Sequence, residues 1–185
     1  MSLGDLFRGR RARQEQAERL YAAVVAHARS PSLYTVCGVP DTLDGRFESI
    51  VLHMFLLLHR LKSEGPRDDL RALGTALGEC MIVDFDRSLR EMGVGDLSVG
   101  RKVTFMAEST FGRIAAYDLG FDAGGAGLEA ALRRNLYGTV PAPDSVGVAL
   151  SQAYVRRVAD HLAAQPVADI LVGKVDFGPP PTASM

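Results

Sequence analysis

One segment constrains the possible folds more than any other part of the chain. Residues 46–62 carry ten large apolar side chains that cover nearly every side of a helix. A helix that is hydrophobic all round is buried by neighbours on several sides. Its longest apolar run, residues 50–58, is nine residues long and contains His53, whereas a bilayer-spanning helix needs about 20 apolar residues. We therefore predict a central helix in a helical protein core.

Apolar residues recur at helical spacing along most of the remaining chain. Strand-like alternation never exceeds four residues, and there are no internal repeats or coiled-coil heptads. The sequence thus predicts an all-α fold, an irregular single-domain helical bundle of about six to seven helices. A basic N-terminal arm (1–13) precedes the helical domain (14–177), and a disordered tail (178–185) follows it. The predicted helices cover about residues 14–29, 46–62, 68–92, 99–119, 128–136, 145–164 and 167–171.

Local signals refine these boundaries. Residues 32–45 are predicted to be irregular, with a turn before the central helix, and residues 120–127 to form a glycine-rich loop. Asp68 is a candidate N-cap, and Gly93 is a candidate stop for the same helix. The apolar row of that helix places Phe85 and Met92 in the core.

The net charge of −1 argues against direct binding of nucleic acid, which usually requires a basic surplus. Two isolated cysteines without framework spacing indicate a reducing compartment. We expect a cytoplasmic protein, with a peripheral position at the inner face of the membrane as the alternative. The arm is either exposed without a specific role or makes electrostatic contact with an anionic surface, membrane or ribosome. Its basic residues are Arg8, Arg10, Arg11 and Arg13.

No motif points to catalysis. The histidines do not occur in zinc or di-iron spacings, and a lone His53 on an apolar helix is typical of a hydrogen-bonded core residue. We predict no catalytic residue, no metal site and no cofactor. Two alternatives stay open: a metal- or lipid-modifying helical enzyme that uses Asp84 and Asp86, and a haem-handling protein that uses His53 as an axial ligand.

The charges around Phe85 follow the helical repeat. With about 100° per residue, Phe85 faces the core while Asp86, Arg87 and Arg90 point away from it. Asp86 with Arg90, and Arg87 with Glu91, are then neighbours of opposite sign one turn apart. Such pairs are typical of a solvent-exposed helix face and require no further explanation.

Several segments together resemble the ubiquinol–cytochrome c chaperone family. The longest is DFDRSLREMGVGDLSVG, residues 84–100, and the others are residues 28–34, 38–48, 52–61 and 111–113, with Tyr117. The resemblance spans residues 20–117 and fades after Gly120. It implies an all-helical fold and a role in assembling the ubiquinol–cytochrome c reductase complex. Mitochondrial members of the family bind newly made cytochrome b, some beside the ribosome and with a small helper protein.

The resemblance also implies where a partner binds. Since arginine outnumbers lysine and alanine and glycine are frequent, the chain looks like a bacterial relative. A client that is a membrane protein requires an apolar groove rimmed by polar groups. We expect the chain to bind newly synthesised cytochrome b, without catalysing a reaction, through two charged patches. Their residues are Asp41 and Arg46 in the first, and Asp84, Asp86, Arg87, Arg90, Glu91 and Asp96 in the second.

Overall fold

The computed structural model describes residues 3–183, with side chains from Phe7 to Ala183. Within that range the chain forms eight helices, two of them only five residues long, and no strand. The predicted all-α fold is thereby confirmed. The helices are α1 (Leu3–Ala28), α2 (Pro31–Thr35), α3 (Leu43–Ser63), α4 (Asp68–Glu91), α5 (Asp96–Asp122), α6 (Gly125–Arg134), α7 (Ser145–Ala163) and α8 (Val167–Leu171).

Helix α3 lies at the centre, as its all-round apolarity predicts. It contacts α1, α4, α5 and α7, and it contributes buried side chains on every face. Phe55 is 1% exposed, and its ring lies 5.6 Å from that of Tyr117 and 6.1 Å from that of Phe121. The aromatic contacts therefore join the core of α3 to the second half of α5.

The ends of several helices differ from the expected positions by a few residues. Helix α3 begins at Leu43, because the Thr42 side chain caps it by accepting a hydrogen bond from the Gly45 N–H at 3.2 Å. Asp68 is the first residue inside α4, and Arg67 occupies the N-cap position. Gly93 follows the end of α4 with a φ of 80°, so it stops the helix as expected.

The glycine-rich segment 120–127 is a helix crossing, where the sequence predicted a loop. Gly120 is buried within α5, and Gly127 lies within α6. A Cβ atom on Gly120 would lie 2.7 Å from the Gly127 carbonyl oxygen, and one on Gly127 would lie 2.8 Å from the Gly120 oxygen. Both glycines are therefore required for the close approach of the two backbones.

Both termini of the described chain are more ordered than the composition indicates. Residues 3–13, predicted as a separate arm, continue α1 without a break, and Arg10 and Arg11 remain exposed. Their contact with an anionic surface stays a prediction.

Residues 172–183, called the C-terminal strap below, lie against α1 and α7. Phe177 is buried, and its ring lies 5.2 Å from that of His27 and 5.7 Å from that of His53. Arg157 donates to the Pro179 carbonyl at 2.8 Å. Residues 178–185 were expected to be disordered, but residues 178–183 belong to the strap. The last two positions lie outside the described range. No helix within residues 3–183 combines the length and apolar composition needed to span a bilayer.

Candidate protein-binding groove

An open groove of about 570 Å³ lies where the first turns of α3 meet the end of α4 and the first half of α5. The segment that follows α6 closes its remaining side. Most of its wall is apolar and rich in aromatic and methionine side chains. These residues are Leu43, Phe47, Ile50, Phe85, Leu89, Met92, Phe105, Met106 and Leu136.

Large apolar side chains are exposed along the edge of this groove. Phe105 is 70% exposed, Leu43 is 62% exposed and Met92 is 49% exposed. Exposed apolar surface of this kind marks interaction sites. The prediction of Met92 as a core residue is wrong, because α4 ends at Glu91 and the chain turns away at this position.

A buried ion pair underlies the apolar wall. Glu48 of α3 is 6% exposed, and its Oε1 accepts a hydrogen bond of 2.5 Å from the Nε of Arg113 on α5. The Arg113 guanidinium lies 5.4 Å from the centre of the Phe47 ring, within the range of a cation–π contact. Burial, only partly offset by Arg113, raises the pKa of Glu48 to about 7. The pair therefore fixes Phe47 in the wall and places a carboxyl beneath it.

Three of the eight predicted partner-binding residues lie at the groove. Arg46 and Asp84 are among its lining residues, and Asp41 holds Arg46 through an ion pair of 2.7 Å. Asp84 is mostly buried because the Tyr21 hydroxyl of α1 donates to it at 3.0 Å. Burial first, and the Asp84 charge second, raise the pKa of Tyr21 above its usual value.

The other five predicted residues do not line the groove and lie at outer positions of α4 and α5, with Arg87 on the side of α4 that faces α1. Asp86 and Arg90 form the expected pair, at 2.6 Å. Arg90 also bonds to Asp96, and this contact connects α4 to α5 across their connector. Arg87 pairs with Asp84 and not, as expected, with Glu91, which is exposed. Tyr21 of α1 bonds to Asp84, and Arg87, one helical turn after Asp84 on α4, pairs with Asp84 on the same side.

His53 is a core residue, as its apolar surroundings indicate. Its Nδ1 lies 2.7 Å from the Ser49 carbonyl oxygen, and its Nε2 lies 2.7 Å from the Tyr154 hydroxyl. Burial lowers the pKa of His53 to about 3, so the ring is neutral near pH 7. Both ring nitrogens are engaged inside the core, and His53 therefore does not fit the alternative of an axial haem ligand.

Asp84 and Asp86 do not converge on one point. Asp84 faces Tyr21 and Arg87, whereas Asp86 faces Arg90. Among the described side chains, no group of three or more histidine, cysteine, aspartate or glutamate residues is placed to hold a metal ion. The geometry gives no support to the alternative in which these two aspartates form an enzymatic metal site.

The two ionic residues beneath the groove wall are not among the residues that the sequence predicts for binding. Glu48 and Arg113 both lie inside segments that carry the family resemblance, yet neither was selected. A signal for Glu48 was present, because it is a charged residue on a helix that is otherwise buried all round. Its partner could not be identified, since Arg113 is 65 residues away in the sequence.

The fold and the groove define a helical protein with an open apolar surface between three of its helices. The chain belongs to the ubiquinol-cytochrome C chaperone family, whose model matches residues 35–177. This confirms the resemblance. It also extends the resemblance well past Gly120, through the α6–α8 region.

Individual relatives agree with this assignment. The crystal structure of the Cbp3 homolog from Brucella abortus is 33% identical, with a TM-score of 0.81 over 97% of each chain. Ubiquinol-cytochrome c reductase complex assembly factor 1 from Mus musculus is 27% identical over 164 residues, which cover 88% of this chain and 55% of the mouse protein. The Xenopus laevis protein is also 27% identical, and 80% of it is covered. The chain spans about half the length of the mouse relative.

Proposed function

We propose that this chain is an assembly factor for the ubiquinol–cytochrome c reductase complex, which holds an unassembled subunit and catalyses no reaction. The observation that carries the proposal is the open apolar groove in a member of the ubiquinol-cytochrome C chaperone family. The names of the curated relatives support the link to this complex. The exposure of Phe105 and Met92 is explained if these side chains contact apolar surface on a partner protein.

The client that we propose is newly made cytochrome b. A membrane protein that has not yet reached its complex exposes apolar helices, and a groove lined by phenylalanine, leucine and methionine matches their chemistry. Methionine side chains are unbranched and adapt to different partner shapes. The groove would cover part of such a helix until the next subunit replaces the chaperone.

We assign two roles to the predicted partner-binding charges. Arg46 and Asp84 line the groove, and Asp41 pairs with Arg46; together they would orient the client there. The outer-face residues would form a second, polar contact, with Arg90 holding the hairpin in shape. These outer residues are Asp86, Arg87, Arg90, Glu91 and Asp96. Complementary charge at an interface directs orientation more than it adds affinity.

The test is deletion of the gene in its host, followed by expression of variants. We expect the deletion to lower the assembled complex, with the cytochrome b absorbance falling before that of other respiratory proteins. Wild-type protein should restore both. Phe105→Glu should not, because it places a charge in the groove.

Val146→Glu is the matched control, since Val146 is an exposed apolar residue of α7 that does not line the groove. It should restore assembly fully. A normal cytochrome b spectrum in the deletion strain contradicts the proposed function. Full restoration by Phe105→Glu contradicts the assignment of the groove.

A further inference from the structure

We propose that the groove selects a partner helix whose apolar face carries one neutral hydrogen-bonding side chain, which bonds to Glu48. The inference rests on the proposed function, because it specifies the chemistry of the client segment that the groove receives. The structure supports it through the apolar wall, the unpartnered polar atoms of the groove and the balance of charge there.

The apolar wall fits one face of a helix. A helix in a groove is held by side chains at positions i, i+3, i+4 and i+7. The groove, of about 570 Å³, is lined by apolar side chains against which such anchors can pack. Phe47 and Phe85, whose ring centres are 5.3 Å apart, form a fixed aromatic surface for them.

Two residues that line the groove have buried polar atoms without a hydrogen-bond partner in residues 3–183. They are the Oε2 of Glu48, an acceptor, and the Nδ2 of Asn135, a donor. Glu48 as a whole is nine-tenths buried, so its second oxygen gains nothing from bulk solvent. Buried polar groups are almost always bonded, and leaving one unpaired costs about 1–3 kcal/mol. A partner side chain that donates to Glu48 would remove that cost.

The charges in the groove favour a neutral donor. When ionised, Glu48 neutralises Arg113, and when protonated it leaves the charge of Arg113 unbalanced. In either state a lysine on the partner would bring an uncompensated positive charge into a buried site. A glutamate would place a second carboxylate beside the first. Four arginines and three acidic residues line the groove in total, which leaves it close to neutral. An amide side chain fits best, because it donates hydrogen bonds without carrying a charge.

The experiment uses the full chain and a labelled amphipathic helical peptide with leucine at four anchor positions. Glutamine replaces each anchor in turn, and lysine then replaces the anchor at which glutamine binds best. Fluorescence anisotropy gives Kd for wild type and for Glu48→Leu. In one register, we expect wild type to bind the glutamine peptide at least as tightly as the leucine peptide. We expect it to bind the lysine peptide at least tenfold more weakly than the glutamine peptide. Glu48→Leu should reduce the preference for glutamine over leucine at least tenfold.

Asp160→Leu is the matched control, since Asp160 is an exposed acid on α7 that does not line the groove, and it should keep the wild-type preference. Circular dichroism checks the fold of each variant. If Glu48→Leu does not fold, Glu48→Gln replaces it and should reduce the preference at least threefold, because its amide is a weaker acceptor than a carboxylate.

The outcomes separate this inference from the proposed function. If Phe105→Glu abolishes binding of the leucine peptide but wild type binds the glutamine peptide more weakly than the leucine peptide in every register, the inference is wrong and the groove assignment stands. A preference that Glu48→Leu leaves unchanged also overturns the inference. If Phe105→Glu binds every peptide as wild type does, the groove is not the binding site and both fail.

Discussion

His53 and Glu48 are buried polar residues on α3, five positions apart in the sequence, and their surroundings differ in one respect. Both ring nitrogens of His53 have partners, in Ser49 and Tyr154. Glu48 has one bonded oxygen and one oxygen without a partner in the described chain. His53 lies where α1, α7 and the C-terminal strap close over α3, whereas Glu48 lies where α3 enters the groove.

The comparison distinguishes a part of α3 that serves stability from a part that serves binding. Both ring nitrogens of His53 are bonded, which makes the burial of this ring compatible with a stable core. Around Glu48, incomplete hydrogen bonding and exposed apolar neighbours reduce stability and make an additional partner favourable. Helix α5 also carries both kinds of residue, since Tyr117 packs on Phe55 whereas Phe105 is exposed.

The largest expected effect tests the difference in packing. Phe55→Ala should lower the free energy of unfolding by about 3–5 kcal/mol, because it opens a cavity in the closed core. Phe105→Ala should change it by no more than about 0.5 kcal/mol, since that side chain is already exposed. Urea denaturation measures both. Equal losses in the two variants would show that the first half of α5 is as well packed as the second.

An effect of intermediate size tests the carboxyl beneath the groove wall. The pKa of Glu48 is raised from 4.5 to about 7 in the folded chain, so the folded state holds this proton more tightly than the unfolded state does. The contribution of Glu48 to the free energy of unfolding should therefore fall as pH rises from about 4.5 to 7, by on the order of 2 kcal/mol.

The matched variant is Glu48→Gln, which does not titrate. Urea denaturation of both proteins across this pH range isolates the contribution of Glu48, because every other titrating group is shared. The difference in stability between wild type and variant should change in the stated direction. A difference that is constant with pH would mean that Glu48 has an ordinary pKa and that the groove is wetter than its burial indicates.

The smallest expected effect on stability concerns the outer charges. Reversing Arg87 and Arg90 to glutamate should change the free energy of unfolding by at most about 1 kcal/mol, since both side chains are substantially exposed. If the outer face contacts a partner, the double variant should nevertheless fail to restore complex assembly in the deletion strain. Unfolding of the variant would show that Arg90 is a structural link to Asp96. Normal folding with normal assembly would show that these charges only form a solvent-exposed helix face.

The sequence predicts the fold well because the decisive signals are local. All-round apolarity marks α3 as central, and the helical repeat in α4 places Phe85 inside and Asp86 outside. The repeat shows which side of a helix is apolar but not whether another element covers that side. Phe111, for example, belongs to the apolar repeat of α5 and is nevertheless 60% exposed. The crossing at Gly120 was missed for the same reason, since a close approach of two backbones depends on tertiary structure.

The candidate site was predictable only in part. Arg46 and Asp84 were predicted because the segments that contain them resemble the family, and both line the groove. Their role in binding stays a prediction. An apolar groove was expected, but the residues that form its wall were not predicted. Glu48 becomes informative only when Arg113 and the unpartnered oxygen are seen together, and this requires the positions of helices that are distant in sequence.

The contact of Phe177 with His27 and His53 has a consequence for the order of folding. Phe177 follows His27 by 150 positions, and a contact between residues so far apart forms late, because a long loop must close first. The chain is synthesised from its N-terminus, so α1 and α3 are complete well before Phe177 is available. Until it arrives, the His27–His53 side of the young protein stays uncovered. A ribosome that stalls before residue 177 should thus leave a nascent chain with a groove wall but an unsealed core, which proteases would cleave.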